Sequence, residues 1–98
     1  MTSPPPAMRD IPPEQSLIEY PSAFPIKVMG AAVEGFEAAM VAVAKRLDPT
    51  FDAGTVERRP SRRGNYLGLT LTVTATSRAQ LDELYRTLSS HPMVKVVL

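Results

Sequence analysis

The 98-residue sequence predicts an α+β sandwich with the element order βαββαβ. Three observations carry that expectation. The stretch NYLGLTLTVTAT over residues 65–76 alternates strictly between apolar and polar, as a strand with one buried face does. Segments with apolar residues at helical spacing precede and follow it. Short strand-like stretches, FPIKVM near the start and VKVVL at the end, complete the set.

Taken in chain order, residues 1–16 come first as a Pro-rich tail. Five of the first thirteen residues are proline, which fixes φ and removes a backbone donor, so a disordered, mobile segment is expected there and the folded domain spans 17–98. Leu17, Ile18 and Tyr20 should lie along the domain edge. Phe24 to Met29 alternates and ends at Gly30, a strand with Ile26 and Val28 inward and Lys27 outward. From Val33 to Leu47 the period becomes helical, with Val33, Phe36, Met40, Val43 and Leu47 on one stripe, and Asp48-Pro49 stops the helix. PTFDAG reads as a loop, followed by a short polar edge strand from Thr55 to about Pro60.

The alternation over 65–76 points Leu67, Leu69, Leu71, Val73 and Ala75 to the core. Tyr66, Gly68, Thr70, Thr72 and Thr74 point away from it. Ser77 followed three residues later by Gln80 is a capping-box signature, and Leu81, Leu84, Tyr85 and Leu88 form the stripe of the helix it opens. Val94 to Leu98 ends the chain as a strand with Val94, Val96 and Leu98 inward. Two right-handed crossovers over these strands give a ferredoxin-like sandwich: a four-stranded antiparallel sheet, two helices on one face, the other face bare.

Composition removes whole classes of function. Eleven Lys and Arg stand against ten Asp and Glu, so the chain lacks the positive excess that draws nucleic acid or anionic membrane. Cysteine is absent, which excludes disulfides, thiolate nucleophiles and sulfur-ligated metals. No window approaches the roughly 20 apolar residues needed to cross a bilayer, and a cytoplasmic chain is expected.

Local chemistry offers two candidate surfaces. ERRPSRRGNY over 57–66 clusters Arg58, Arg59, Arg62 and Arg63 at the hairpin between the second and third strands, with Gly64 free to take the positive φ of a turn. Arg63-Gly64-Asn65-Tyr66 imitates the start of an RNA-recognition strand, yet Tyr66 is the sole aromatic on that strand's outer face, a poor stacking platform. The arginines are then solvating charges on a hairpin. The second surface is the bare sheet face, where Lys27, Lys95, Thr70 and Thr72 could hold a small carboxylate while Met29, Tyr66 and Val97 contact its apolar chain. The competing reading makes both lysines ordinary solubility charges.

No catalytic set, metal site or cofactor is expected. GAAVEGF over 30–36 has a glutamate where an acylphosphatase-type phosphate loop would need an arginine. His91, the one histidine, precedes Pro92 after a helix and suits a capping role; Asp48 and Asp52 suit turns.

LIEYPSAFPIKVMG, ERRPSRRGNYLGLTLTVTATS and LDELYRTLSSHPMVKVVL together resemble the YbeD-like family of small bacterial proteins, over about Leu17 to Leu98. The resemblance implies an ACT-like fold and a non-catalytic regulatory role. The family's label, lipoic acid-binding regulatory protein, rests on fold and on gene neighbourhood beside the lipoyl(octanoyl) transferase, and it brings no catalytic residues. Gly68 stands where that pattern would have a serine, which removes a hydroxyl contact. The implied partners are a small acyl ligand or another protein, with a homodimer formed through the sheet as the alternative reading.

Overall fold

The computed structural model describes residues 19–98, so the expected tail and the Leu17-Ile18 lead-in lie outside the described residues. The elements are β1 (Ser22–Ala31), α1 (Phe36–Leu47), β2 (Glu57–Pro60), β3 (Tyr66–Ala75), α2 (Arg78–Ser89) and β4 (Val94–Val97), with a 3₁₀ turn at Ala53–Thr55. The strands form one sheet in the order β2-β3-β1-β4, every neighbouring pair antiparallel. The fold is ferredoxin-like.

Strand alternation decides the core. Ile26 and Val28 of β1 and Leu69, Leu71, Val73 and Ala75 of β3 are buried against Phe36, Met40, Val43 and Ala44 of α1 and Leu81, Leu84 and Leu88 of α2. Gly30 lies on this same face, and a Cβ there would come within 2.2 Å of the Met93 carbonyl oxygen and 2.7 Å of the Phe36 ring. Only glycine lets that helix and strand approach so closely. Pro25 falls inside β1, further in than the sequence suggests. It is accommodated because Lys27 exchanges backbone hydrogen bonds with Leu98, and two residues earlier the missing N–H would point to the same side, beyond the reach of β4.

Three expectations are corrected. The first helix starts at Phe36, not Val33; Gly35 sits at its N-cap with φ 91°, breaking the helical path, and Val33 is left 53% exposed while Ala44 joins the buried stripe. The edge strand starts at Glu57, because Asp52 accepts from the Gly54 N–H and holds residues 53–55 in a tight turn. That turn brings Phe51 and Val56 into the core, two residues that no periodicity marks.

The third correction concerns β4. Pairing passes from Met29–Val96 to Gly30–Val94, a bulge that leaves Lys95 as the extra residue. Past a one-residue insertion the alternation inverts. Val94 and Val97 therefore pack on the core, while Val96 is 40% and Leu98 74% exposed. Val96 and Leu98 were expected inward and Val97 outward; the positions are exchanged.

Local signals at the ends of α2 behave as read. Ser77 Oγ accepts from the Gln80 N–H at 3.0 Å, and the Gln80 side chain ties the Thr76 amide to the carbonyls of Leu47 and Thr74. His91 Nδ1 accepts from the Met93 N–H after the helix. Asp48, at the C-cap of α1, is only 3% exposed and accepts from the Thr50 N–H, the Thr50 hydroxyl and the Thr74 N–H. It fastens the end of α1 to β3. Burial opposes its ionisation and is the largest single influence, but those hydrogen bonds together outweigh it and hold the carboxyl below its usual range.

Candidate functional site: the bare face of the sheet

The helices cover one side of the sheet, so every second residue of each strand is left on the other. Register places these residues in two rows. Glu57 of β2, Thr70 of β3 and Lys27 of β1 lie side by side, continued by Leu98, which pairs with Lys27. Arg59, Gly68, Met29 and Val96 form the adjacent row. Side chains in neighbouring positions of such rows stand about 5 Å apart, close enough to act on one ligand.

Between the rows lies an open groove of about 430 Å³, bounded by these residues and floored by the backbone of Val28, Arg58 and Leu69. Gly68 makes the hollow. A Cβ built there would meet Arg59 O at 3.4 Å and nothing nearer, so β3 could accept a side chain at this position and the space is left open by sequence rather than by steric need. Apolar surface dominates one end. Met29, Val96 and Leu98 are exposed, and with Tyr66 beyond them they are four of the six large hydrophobic side chains exposed among the described residues. Such a cluster on one side of a small domain marks a contact surface more often than chance.

Charge is arranged around it. Lys27 stands between the Thr70 hydroxyl and Leu98. Arg59 and Glu57 lie two residues apart on the edge strand. Within the described residues none of these three charges forms an ion pair.

The residues singled out from sequence separate into groups. Lys27, Thr70 and Met29 border the groove. Thr72 is on the same face one step along β3, opposite Pro25, and Tyr66 lies at the far end of β3 opposite Ala31; neither borders the groove. Lys95 is the bulged residue and is also outside the lining. Arg59, Glu57, Val96 and Leu98 border it without having been anticipated, because their place depends on register across strands far apart in sequence.

The four arginines are likewise divided. Arg58 points to the helical side, where its guanidinium makes a two-pronged ion pair with Glu37 of α1 at 2.5–2.6 Å, an arrangement that favours its charged form. Arg59 turns to the bare face. Arg62 and Arg63 are exposed at the hairpin tip, which is closed by the Ser61 N–H to Tyr66 carbonyl bond, the Tyr66 N–H to Ser61 Oγ bond, and Gly64 at φ 78°. One sequence cluster thus serves three locations. A continuous phosphate-gripping strip does not form.

Among the described residues no group of three or more His, Cys, Asp or Glu converges as metal ligands do, and no helix is long and apolar enough to cross a membrane.

The fold and the site define a class: a small ferredoxin-like sandwich whose one grooved, partly apolar sheet face is left uncovered. The chain belongs to the DUF493 family, described as protein of unknown function, which matches residues 15–98. It is 72% identical over 91 residues to a UPF0250 protein of Leptothrix cholodnii, an alignment covering 93% of this chain and all of that relative. A UPF0250 protein of Bordetella pertussis is 62% identical with the same coverage, and one of Ralstonia nicotianae is 61% identical over 87 residues, covering 89% of this chain and 90% of the relative. These are small bacterial proteins of the same length class as this chain.

Proposed function

We propose that this chain is a non-catalytic, regulatory binding module that takes a small apolar carboxylate on the bare face of its sheet and acts in the cytoplasm. The observation that carries the reading is the groove over Gly68, apolar at the Met29, Val96 and Leu98 end and bordered by a lysine with no ion partner among the described residues. The carboxylate is assigned to Lys27 Nζ and the Thr70 hydroxyl, a charge-assisted pair of donors. The acyl chain then runs over Met29 toward Val96. Glu57 repels an acid at the β2 edge and favours the Lys27 end.

Octanoyl or lipoyl acid has the head and chain length that this arrangement suits, in keeping with the resemblance to the YbeD-like family and its lipoate label. An amide-linked lipoyl group has no free carboxylate, so the site would select the free acid. Titration with octanoate and octanamide, followed by calorimetry or chemical-shift perturbation, tests this. Octanoate should bind at least about tenfold more tightly than the amide, and Lys27→Ala should remove that preference, since one charge-assisted hydrogen bond contributes about 1.5–3 kcal/mol. Lys95→Ala, outside the groove, should leave it intact. Equal binding of acid and amide, or indifference to Lys27→Ala, would sink the assignment.

A further inference from the structure

The charges on the edge of the bare face are arranged as a self-complementary pair. Glu57 and Arg59 sit on the same side of β2 at a spacing of two residues, one in each row. Gly68 and Thr70 stand in the same relation on β3, Lys27 and Met29 on β1, and Val96 and Leu98 on the β4 side. A two-fold axis lying in the plane of the face, across the strands and between the rows, exchanges the members of every such pair.

We infer that a second copy of this chain docks face to face on the bare sheet about that axis. Glu57 then meets the second copy's Arg59, Thr70 enters the hollow over the second copy's Gly68, and Val96 meets the second copy's Leu98. Acid falls on base, a side chain on a gap and apolar on apolar, while the aliphatic stem of Lys27 lies along the second copy's Met29. The other simple axis, parallel to the strands through the middle of the sheet, lays β2 over the second copy's β4 and buries Glu57 and Arg59 against Leu98 and Val96. That axis sets two charges of each copy on apolar side chains, whereas the crosswise axis sets only Lys27 there, so the smaller desolvation cost selects the crosswise axis. Packed sheets rotate by about 30° relative to one another, which displaces the edge strands by only a few ångströms at this width, within the reach of an arginine.

Two of the four strands are four residues long, so the contact falls at the small end of specific interfaces and the dimer is reversible. The inference goes beyond the ligand reading and does not depend on it. Both claims use the groove, however, so a bound acid and a second copy exclude one another, and the ligand would set the balance between monomer and dimer.

Sedimentation velocity of the purified protein over a concentration series, with no acid present, reads the dimer directly. The expected result is a rise from monomer to dimer mass. Arg59→Glu should weaken association by about tenfold or more, because it sets two carboxylates together in each of the two symmetry-related contacts over β2. The exchange Glu57→Arg/Arg59→Glu should restore it. That rescue also shows that the variants fold, since both positions are exposed on an edge strand. A protein that stays monomeric throughout, an Arg59→Glu variant that dimerises as the parent does, or a double exchange that fails to recover would each overturn the inference. Saturating octanoate should return the dimer to monomer; a dimer that retains octanoate would refute the shared surface and leave acid binding, read separately by titration, standing.

Discussion

The two faces of the sheet are built from the same ten residues of β3, yet they obey different rules. On the helical side Leu69, Leu71 and Val73 are each 1% exposed and contact both helices through one continuous cluster. On the bare side Gly68, Thr70 and Thr72 are half-buried by their neighbours alone. One side is constrained by volume, where any change opens a cavity or forces a clash. The other is constrained only by β propensity, and is therefore free to carry function. Threonine satisfies that propensity without adding apolar area. Met29, Val96 and Leu98 depart from the pattern, and that departure locates the candidate site.

The sharpest way to break the comparison is to truncate adjacent residues of β3. Leu71→Ala should cost about 2–5 kcal/mol, the transfer term plus a cavity, whereas Thr72→Ala next to it should cost about 0.5 kcal/mol or less. Chemical denaturation of both variants measures the difference. Similar losses at the two positions would mean that the bare face is covered.

Asp48 gives the next largest effect, on the constrained side. Asp48→Ala strands the Thr74 N–H and the Thr50 donors and should cost about 2–3 kcal/mol. Its carboxyl titrates below its ordinary value in the folded chain, so its contribution is complete above about pH 4, the unfolded value, and is lost as pH falls through the lower folded value. The parent should therefore lose stability in acid more steeply than Asp48→Asn. Parallel pH profiles for the two would show that the carboxylate is not held as described.

A smaller effect is expected from filling the hollow. Gly68→Val introduces a β-branched residue where a Cβ makes ordinary contacts, and should change stability by less than about 1 kcal/mol. It should abolish octanoate binding and weaken self-association. A large loss of stability would instead assign Gly68 a structural duty.

Least of all should follow from the hairpin tip. Arg62→Gln/Arg63→Gln should shift stability by no more than about 0.5 kcal/mol. If single-stranded RNA were gripped there, affinity would fall with salt at a log–log slope of about −0.7 for each phosphate contact, and the double variant would reduce that slope. Binding with such a dependence would reverse the reading of these arginines as solvating charges.

Much of this molecule is legible along the chain, because the signals concerned are local. The alternation of β3, the Ser77 cap of α2 and the turn at Gly64 each depend on residues a few positions apart, and each appears where the sequence places it. The order of elements then restricts the topology to one sandwich. The bare face itself follows from that topology, and with it Lys27, Thr70 and Met29.

What the chain order does not contain is pairing. A bulge at Lys95 is a relation between β4 and β1, and it alone decides that Val96 rather than Val97 faces outward. Asp48 reads as a turn residue until β3 brings the Thr74 amide to it across 26 positions. Phe51 and Val56 lie in an irregular loop with no period to reveal them, and are buried because the 3₁₀ turn folds them under. Arg58 and Arg59, adjacent in sequence, part to opposite faces, one to Glu37 and the other to the groove. Propensity and capping are short-range energies that a sequence displays directly. Register and burial are set by which distant segments meet, and only the packed chain decides them.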